Sequence, residues 1–293
     1  MTTAGTLVTR LTEELRLNRS MALMTLNGAI ADGSTTSVTV DAAIDGVDAG
    51  SVLQVDTEQL YVRSVSTNTY TVIRGWNSSP ASGHSDGAIV EVDPIVPKSY
   101  LLALIDEEIL SWPRTLYKIT ALEVTFEAKA WAVDITSASD VWRLLKVTLK
   151  PSATDKPHRD ISHMCTVERN MNTGDFASGF ALQFAEQMPQ SGTVRILYAG
   201  PFTTGSTGEF TDLESTVGLS SGMLDIVKYG IAARALDKAE IVRASLETQS
   251  VARKAEELPP GYLAQVAATM QMKRDQRITE EAAKLSYHNI WRY

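Results

Sequence analysis

The chain has 293 residues, 44% of them hydrophobic and 21% charged, with a formal net charge of −8. That balance fits a folded protein with room for two or three modules and excludes a disordered one. No run approaches the roughly 18 apolar residues of a transmembrane helix, and an acidic chain without a basic run is a poor match for gripping nucleic acid, which needs clustered Lys and Arg.

Residues 1–100 carry eleven acids against six bases, whereas residues 201–293 carry twelve against eleven. The acidic excess reads as a solvated surface that aids solubility, and it also suits a channel through which nucleic acid slides without sticking. The start, Met1 to Gly5, has neither the basic region nor the apolar core of a secretory signal, so none is expected. A single cysteine, Cys165, excludes an internal disulfide framework and points to synthesis in a reducing cytosol.

Thr6–Leu17 places Leu7, Leu11, Glu14 and Leu15 at helical spacing, with Val8 widening the stripe. A helix of about twelve residues is marginal alone in water and must dock on something. From Ala22 to Pro94 the pattern changes to short alternating runs. Ser37–Val40, Val52–Val55, Gln59–Val65, Tyr70–Arg74 and Ala88–Val92 read as strands. Seven glycines across this stretch imply tight connections in a small β-barrel-like module, residues 22–95. Ser66–Thr69 is a hairpin turn with Asn68 suited to a left-handed backbone, and His84 and Asp86 are expected to brace a turn.

Three runs here, Gly50–Val62, Asn68–Asn77 and His84–Val90, resemble a small β module of tailed-phage virion proteins. The carriers of that resemblance are the Arg74-Gly75-Trp76-Asn77 turn and the His84-Ser85-Asp86-Gly87-Ala88 turn.

Pro97–Leu110 is helical: Leu101, Leu104, Ile105, Glu108 and Ile109 line one side, and Asp106-Glu107-Glu108 is a charge run. Trp112-Pro113 ends it. In the second β block, Leu122, Val124, Phe126, Ala128 and Ala130 alternate with polar residues. Trp142–Leu149, Met164–Val167, Phe180–Phe184 and Val194–Tyr198 follow, so residues 116–214 are expected to form a β-sandwich. Two long helices close the chain. Leu224, Val227, Ile231, Ala235 and Val242 form one stripe. After Pro259-Pro260-Gly261, Leu263, Val266, Met270, Arg277, Glu281 and Leu285 form another. The last eight residues, 286–293, carry Tyr287, Ile290, Trp291 and Tyr293 without helical period and read as a docking tail.

The succession Gly192–Thr203, Asp225–Leu236, Glu257–Gly261 and Arg274–Leu285 is similar to structural proteins of the head and neck of tailed phages. A helical core with a C-terminal tail resembles head-to-tail connector adaptors, which are smaller and nearly all-helical; the two β blocks depart from them. The resemblance implies a ring, twelve-fold, beneath a portal protein. Double-stranded DNA would pass through it unbound during genome ejection, and the next neck or tail component would dock below. Under that reading the fold is α+β. A discontinuous helical core (1–21, 96–115 and 215–285) carries both β modules as insertions. Leu224, Val227, Ile231, Ala235, Leu263, Val266 and Met270 make the helix and ring packing. Tyr287, Ile290, Trp291 and Tyr293 dock on the portal.

No nucleophile elbow, P-loop or dinucleotide fingerprint occurs, so no enzyme and no cofactor is expected. His158, His163 and Cys165 lie close in sequence, but a structural zinc wants four ligands and nothing supplies the rest. The alternative is a baseplate or tail-tip module that holds a receptor or glycan on an aromatic plane, with Trp76 or Trp131 as the plane.

Overall fold

The computed structural model describes residues 2–15, 23–135, 141–150, 158–205, 207–248 and 261–290, and it is a mixed α and β fold. The chain divides into two compact units: Met1–Trp112 with Thr204–Glu281, and Pro113–Thr203 with Ala282–Tyr293.

The first unit opens with α1 (Ala4–Leu15), which buries Ala4, Leu7, Val8 and Leu11. Six strands follow: β1 (Leu23–Thr25), β2 (Ser37–Thr39), β3 (Val52–Val55), β4 (Glu58–Ser66), β5 (Thr69–Ile73) and β6 (Ile89–Val92). They form one antiparallel sheet in the order β1-β6-β3-β4-β5-β2. The sheet curls into a half-barrel. Its edges approach through the bridge Leu26↔Val40, with Asn27 N donating to Thr39 O at 2.9 Å. Leu53, Leu60, Val62, Tyr70, Val72 and Val90 fill the concave side at 0–2% exposure. The alternation read from the sequence is therefore the pleat, with every second side chain sent inward. The expected hairpin joins β4 to β5, but the left-handed residue is Thr67 (φ 52), not Asn68. The three-residue β1 was missed because so short a strand carries almost no period.

Next comes α2 (Lys98–Leu110), preceded by Pro97 in extended conformation. Two long helices follow, α3 (Ser221–Thr248) and α4 (Tyr262–Ile290); all of α3 and the part of α4 up to Glu281 complete the unit. Helices α1, α2 and α3 pack on one another. The single stripe expected on α3 is instead burial on nearly every side: Met223, Ile226, Val227, Ile231, Ala232, Ala233, Ala235 and Leu236 are all at most 4% exposed. A helix with buried residues on several sides is packed by more than one neighbour, and its charged residues, such as Asp225 and Arg234, are paired across helices. Val242 has its side chain outside the described residues, as do Leu17, Pro259 and Pro260. The end of α4 lies beyond Leu285, so Ser286–Ile290 is helical rather than an irregular tail.

A segment late in the chain straps the N-terminus into this unit. Ala4 N donates to Thr211 O and Gly5 N to Glu209 O, both at 2.9 Å, and Thr3 bridges Asp212. Thr57 Oγ1 donates to the Glu209 carboxylate at 2.8 Å, and Thr207 Oγ1 to Asp106 at 2.6 Å.

The second unit holds β7 (Lys118–Phe126), β8 (Ala132–Asp134), β9 (Arg143–Lys150), β10 (Arg159–Asp160), β11 (Cys165–Arg169), β12 (Phe180–Phe184) and β13 (Gly192–Gly200). These make a four-stranded sheet, β10-β9-β13-β7, and a three-stranded one, β11-β12-β8. One apolar cluster draws on both: Phe126, Val147, Val194 and Ile196 from the first, Val133, Leu182 and Phe184 from the second. Ala128 and Ala130, read as part of a strand, lie in the turn after β7.

Candidate functional site

α3 and α4 run antiparallel, as their cross-contacts fall in descending order. Gly261 N donates to Glu240 at 3.1 Å, Lys273 lies over the Tyr229 ring, Arg277 pairs with Asp225 at 2.5 Å, and Glu281 lies against Gly222. Of the residues expected to make helix and ring packing, Val227, Ile231 and Ala235 are fully buried and Leu224 half-buried on α3. Leu263, Val266 and Met270 on α4 are only half-buried, and Ala267 and Glu281 are the buried residues of that helix whose side chains are described. Thus α4 lies on the unit by one face and presents the other to solvent.

The meeting point of three helices is a carboxylate. Glu108 of α2 is 1% exposed, on the side it shares with Leu101, Leu104, Ile105 and Ile109. Its Oε1 accepts from Trp112 Nε1 at 3.0 Å and from Arg274 Nε of α4, while Arg234 of α3 reaches Oε2 at 3.4 Å. Arg274 also donates to Ser111 Oγ at 2.7 Å, and Arg234 to Glu107 at 3.0 Å. Gly230 makes room: a Cβ there would overlap the Glu108 carboxyl. The close neighbour at Gly230 is thus a charged group rather than an apolar side chain. A buried carboxylate is tolerated only when its partners replace the lost water, and here two guanidinium groups and an indole do so.

A second buried cluster sits in the half-barrel. Glu58 is fully buried and bound twice by Arg74, Nε to Oε1 and Nη2 to Oε2, both at 2.7 Å. Gly75 N and Ser82 N add donors at 3.0 and 3.1 Å. His84 lies between two carboxylates, Nε2 to Glu58 and Nδ1 to Asp56, each at 2.8 Å. Burial disfavours the charge on Glu58, but the bonds from His84, Arg74 and the two amides outweigh it and lower its pKa to about 2. Burial likewise disfavours the imidazolium, and the two carboxylates outweigh it, raising His84 to about 9. Arg74 Nη1 also donates to Asp32 O and Thr35 O at 2.9 Å, so the cluster ties three loops together. A general base needs a free nitrogen, and both of His84's are committed. The expectation that His84 braces a turn gives way to this buried bridge, while Asp86 does brace one, accepting from Gly28 N at 2.7 Å.

His158 and His163 are exposed, and Cys165 is buried. Among the described residues no group of three His, Cys, Asp or Glu side chains is placed to hold a metal ion, and no helix is long and apolar enough to cross a membrane. Trp76 packs on Tyr61 with ring centroids 4.5 Å apart, while Trp131 is 57% exposed. Of the expected docking residues, Trp291 and Tyr293 lie outside the described residues; Tyr287 and Ile290 fall on the last turns of α4, with side chains outside them. No protein-family model matches this chain, and no curated protein matches it.

Proposed function

We propose that this chain is a structural virion protein of a tailed phage, a ring-forming head-to-tail adaptor rather than an enzyme. In this reading α1, α2, α3 and α4 are a discontinuous helical bundle into which a β-barrel-like module and a β-sandwich are inserted. The ring, twelve-fold by resemblance, extends the portal channel, lets double-stranded DNA pass without gripping it, and offers a platform to the next neck or tail component. The chain is made in the host cytoplasm and ends in the virion neck. The observation that supports this best is α4, 29 residues long with Leu263, Val266 and Met270 half-covered. Such a helix offers a long contact surface to a neighbour, and the two buried clusters have their polar atoms committed to holding the fold. The test is co-purification with the portal protein of the same phage, followed by electron microscopy. A ring on the portal is expected, and deletion of Tyr287–Tyr293 is expected to abolish capture while leaving the melting temperature nearly unchanged. A truncated chain that still binds portal normally, or melts much earlier, refutes the docking role of that end.

The exposed indole of Trp131 favours a second reading, a baseplate or tail-tip module that holds a glycan. Binding on a glycan array that Trp131→Ala abolishes, with no portal complex, would select it.

A further inference from the structure

The two long helices are held in different ways. Apolar side chains seat α3: Met223, Ile226, Val227, Ile231 and Leu236 are all buried. As far as Glu281, α4 is seated mainly by polar ones. On its inward side Ala267 is the one apolar residue fully buried among the described residues, while Leu263, Val266, Met270 and Ile278 are half-buried. Later on that side come Arg274, Arg277 and Glu281, at intervals of three and four residues, so each turn sends a charged group toward the unit. Arg274 meets Glu108 and Ser111, Arg277 meets Asp225, and Lys273 lies over the Tyr229 ring. The Glu281 carboxyl fills the space that Gly222 leaves open on α3.

We propose that residues 262–281 form a strap that lifts off α2 and α3 while the rest of the first unit stays folded. Lifting costs little on either side. On the strap, Arg274, Arg277 and Glu281 return to water, which solvates a charge better than a protein interior does. Beneath it, Glu108 loses Arg274 but keeps Trp112 Nε1 at 3.0 Å and Arg234 Nη2 at 3.4 Å, so its carboxylate retains donors. Helices α1, α2 and α3 still pack on one another. A segment with few buried apolar groups opens at a lower free energy than the core it rests on. Arg277 and Asp225 are 36% and 42% exposed, so salt screens their attraction, whereas the Glu108–Arg274 pair is buried and screened much less. That buried pair is the latch, and the outer pair is the part that salt loosens. Opening bares the apolar start of the strap, Leu263, Val266, Ala267 and Met270, together with the α3 flank at Gly222, Asp225 and Tyr229.

The strap stands apart from the virion reading: the isolated chain tests the one, and portal capture tests the other. Native-state hydrogen exchange of the full chain, read by mass spectrometry on peptides from both helices, is the experiment. Protection factors over residues 266–281 should be at least about tenfold lower than over residues 226–239, and the gap should widen between about 0.1 M and about 1 M salt. Arg277→Gln removes the Asp225 pair and should speed exchange on α4 several-fold with α3 unchanged. Arg277→Lys keeps the charge and should stay near wild type. Equal protection of the two helices would overturn the proposal, as would an Arg277→Gln variant that leaves α4 unchanged or loosens both helices alike.

Discussion

Gly230→Ala should reverse its sign according to what stands at position 108. Added to an otherwise regular helix, the methyl group gains about 1 kcal/mol, because glycine is a poor helix former. In the native chain that methyl overlaps the Glu108 carboxyl. The carboxylate has nowhere to retreat without loosening its bonds to Trp112, Arg274 and Arg234. Overpacking costs about 1–3 kcal/mol, and a hydrogen bond to a charged group contributes about 1.5–3 kcal/mol. A combined cost of about 3 kcal/mol less the propensity gain leaves Gly230→Ala destabilising by about 2 kcal/mol. Glu108→Ala strips two guanidinium groups of a buried acceptor and should cost about 3–5 kcal/mol. In that background the clash is gone, so Gly230→Ala should stabilise by about 1 kcal/mol. Urea unfolding of the four proteins, followed by helical circular dichroism, yields a coupling energy of about 3 kcal/mol, at the top of the usual range for touching residues. A neutral or stabilising Gly230→Ala in the native background would refute the placement of Glu108 against α3.

Stability should also depend on pH through the half-barrel cluster. His84 is raised from 6.5 to about 9, so its contribution is complete below 6.5 and fades as pH climbs through 9; Glu58 is lowered from 4.5 to about 2, so its contribution is complete above 4.5 and fades as pH falls toward 2. Urea midpoints should be highest between these windows, and an imidazole of His84 titrating near 6.5 by nuclear magnetic resonance would contradict the bridge. Cys165, its thiol pushed up to about 12 by burial and the nearby Asp160, should resist thiol reagents in the folded protein and react only on unfolding; rapid native labelling would show the site to be open.

Alternation and punctuation carried much of the fold. Phe180–Phe184 and Val52–Val55 have the same limits in sequence and structure because strong turn residues bound a clear period. Pairing was not legible: β3 lies between β4 and β6, whose far edge is met by β1, an order no local pattern encodes. Burial of charge was the larger omission. Glu108 sits in a run of three acids, and what makes it internal is Arg234 and Arg274, more than 120 residues away. His84 was misread for the same reason, since the carboxylates that sandwich it come from the turn before β4 and from its first residue. On α3, a search for one stripe hid the fact that buried apolar residues between Met223 and Ala239 are spread round the helix, with charged residues set among them. The end of α4 was placed early because aromatic residues after Leu285 break the amphipathic pattern without breaking the helix.

The strap that holds the N-terminus has a consequence for the order in which the protein is completed. Ala4 and Gly5 find their backbone partners only at Glu209 and Thr211. The strands of the second unit, by contrast, all lie between Lys118 and Gly200 and pair among themselves. A ribosome working from the N-terminus therefore delivers the whole of that inserted sheet pair before it delivers the residues that close the first unit. Through most of translation α1 and α2 wait without α3, their apolar faces open to water or to whatever else binds them. Contacts that span some 200 residues carry the largest loop-closure cost and form slowly. Emergence of residues 209–211, rather than of the first half of the chain, is the step that allows the N-terminal helix to be sealed in place.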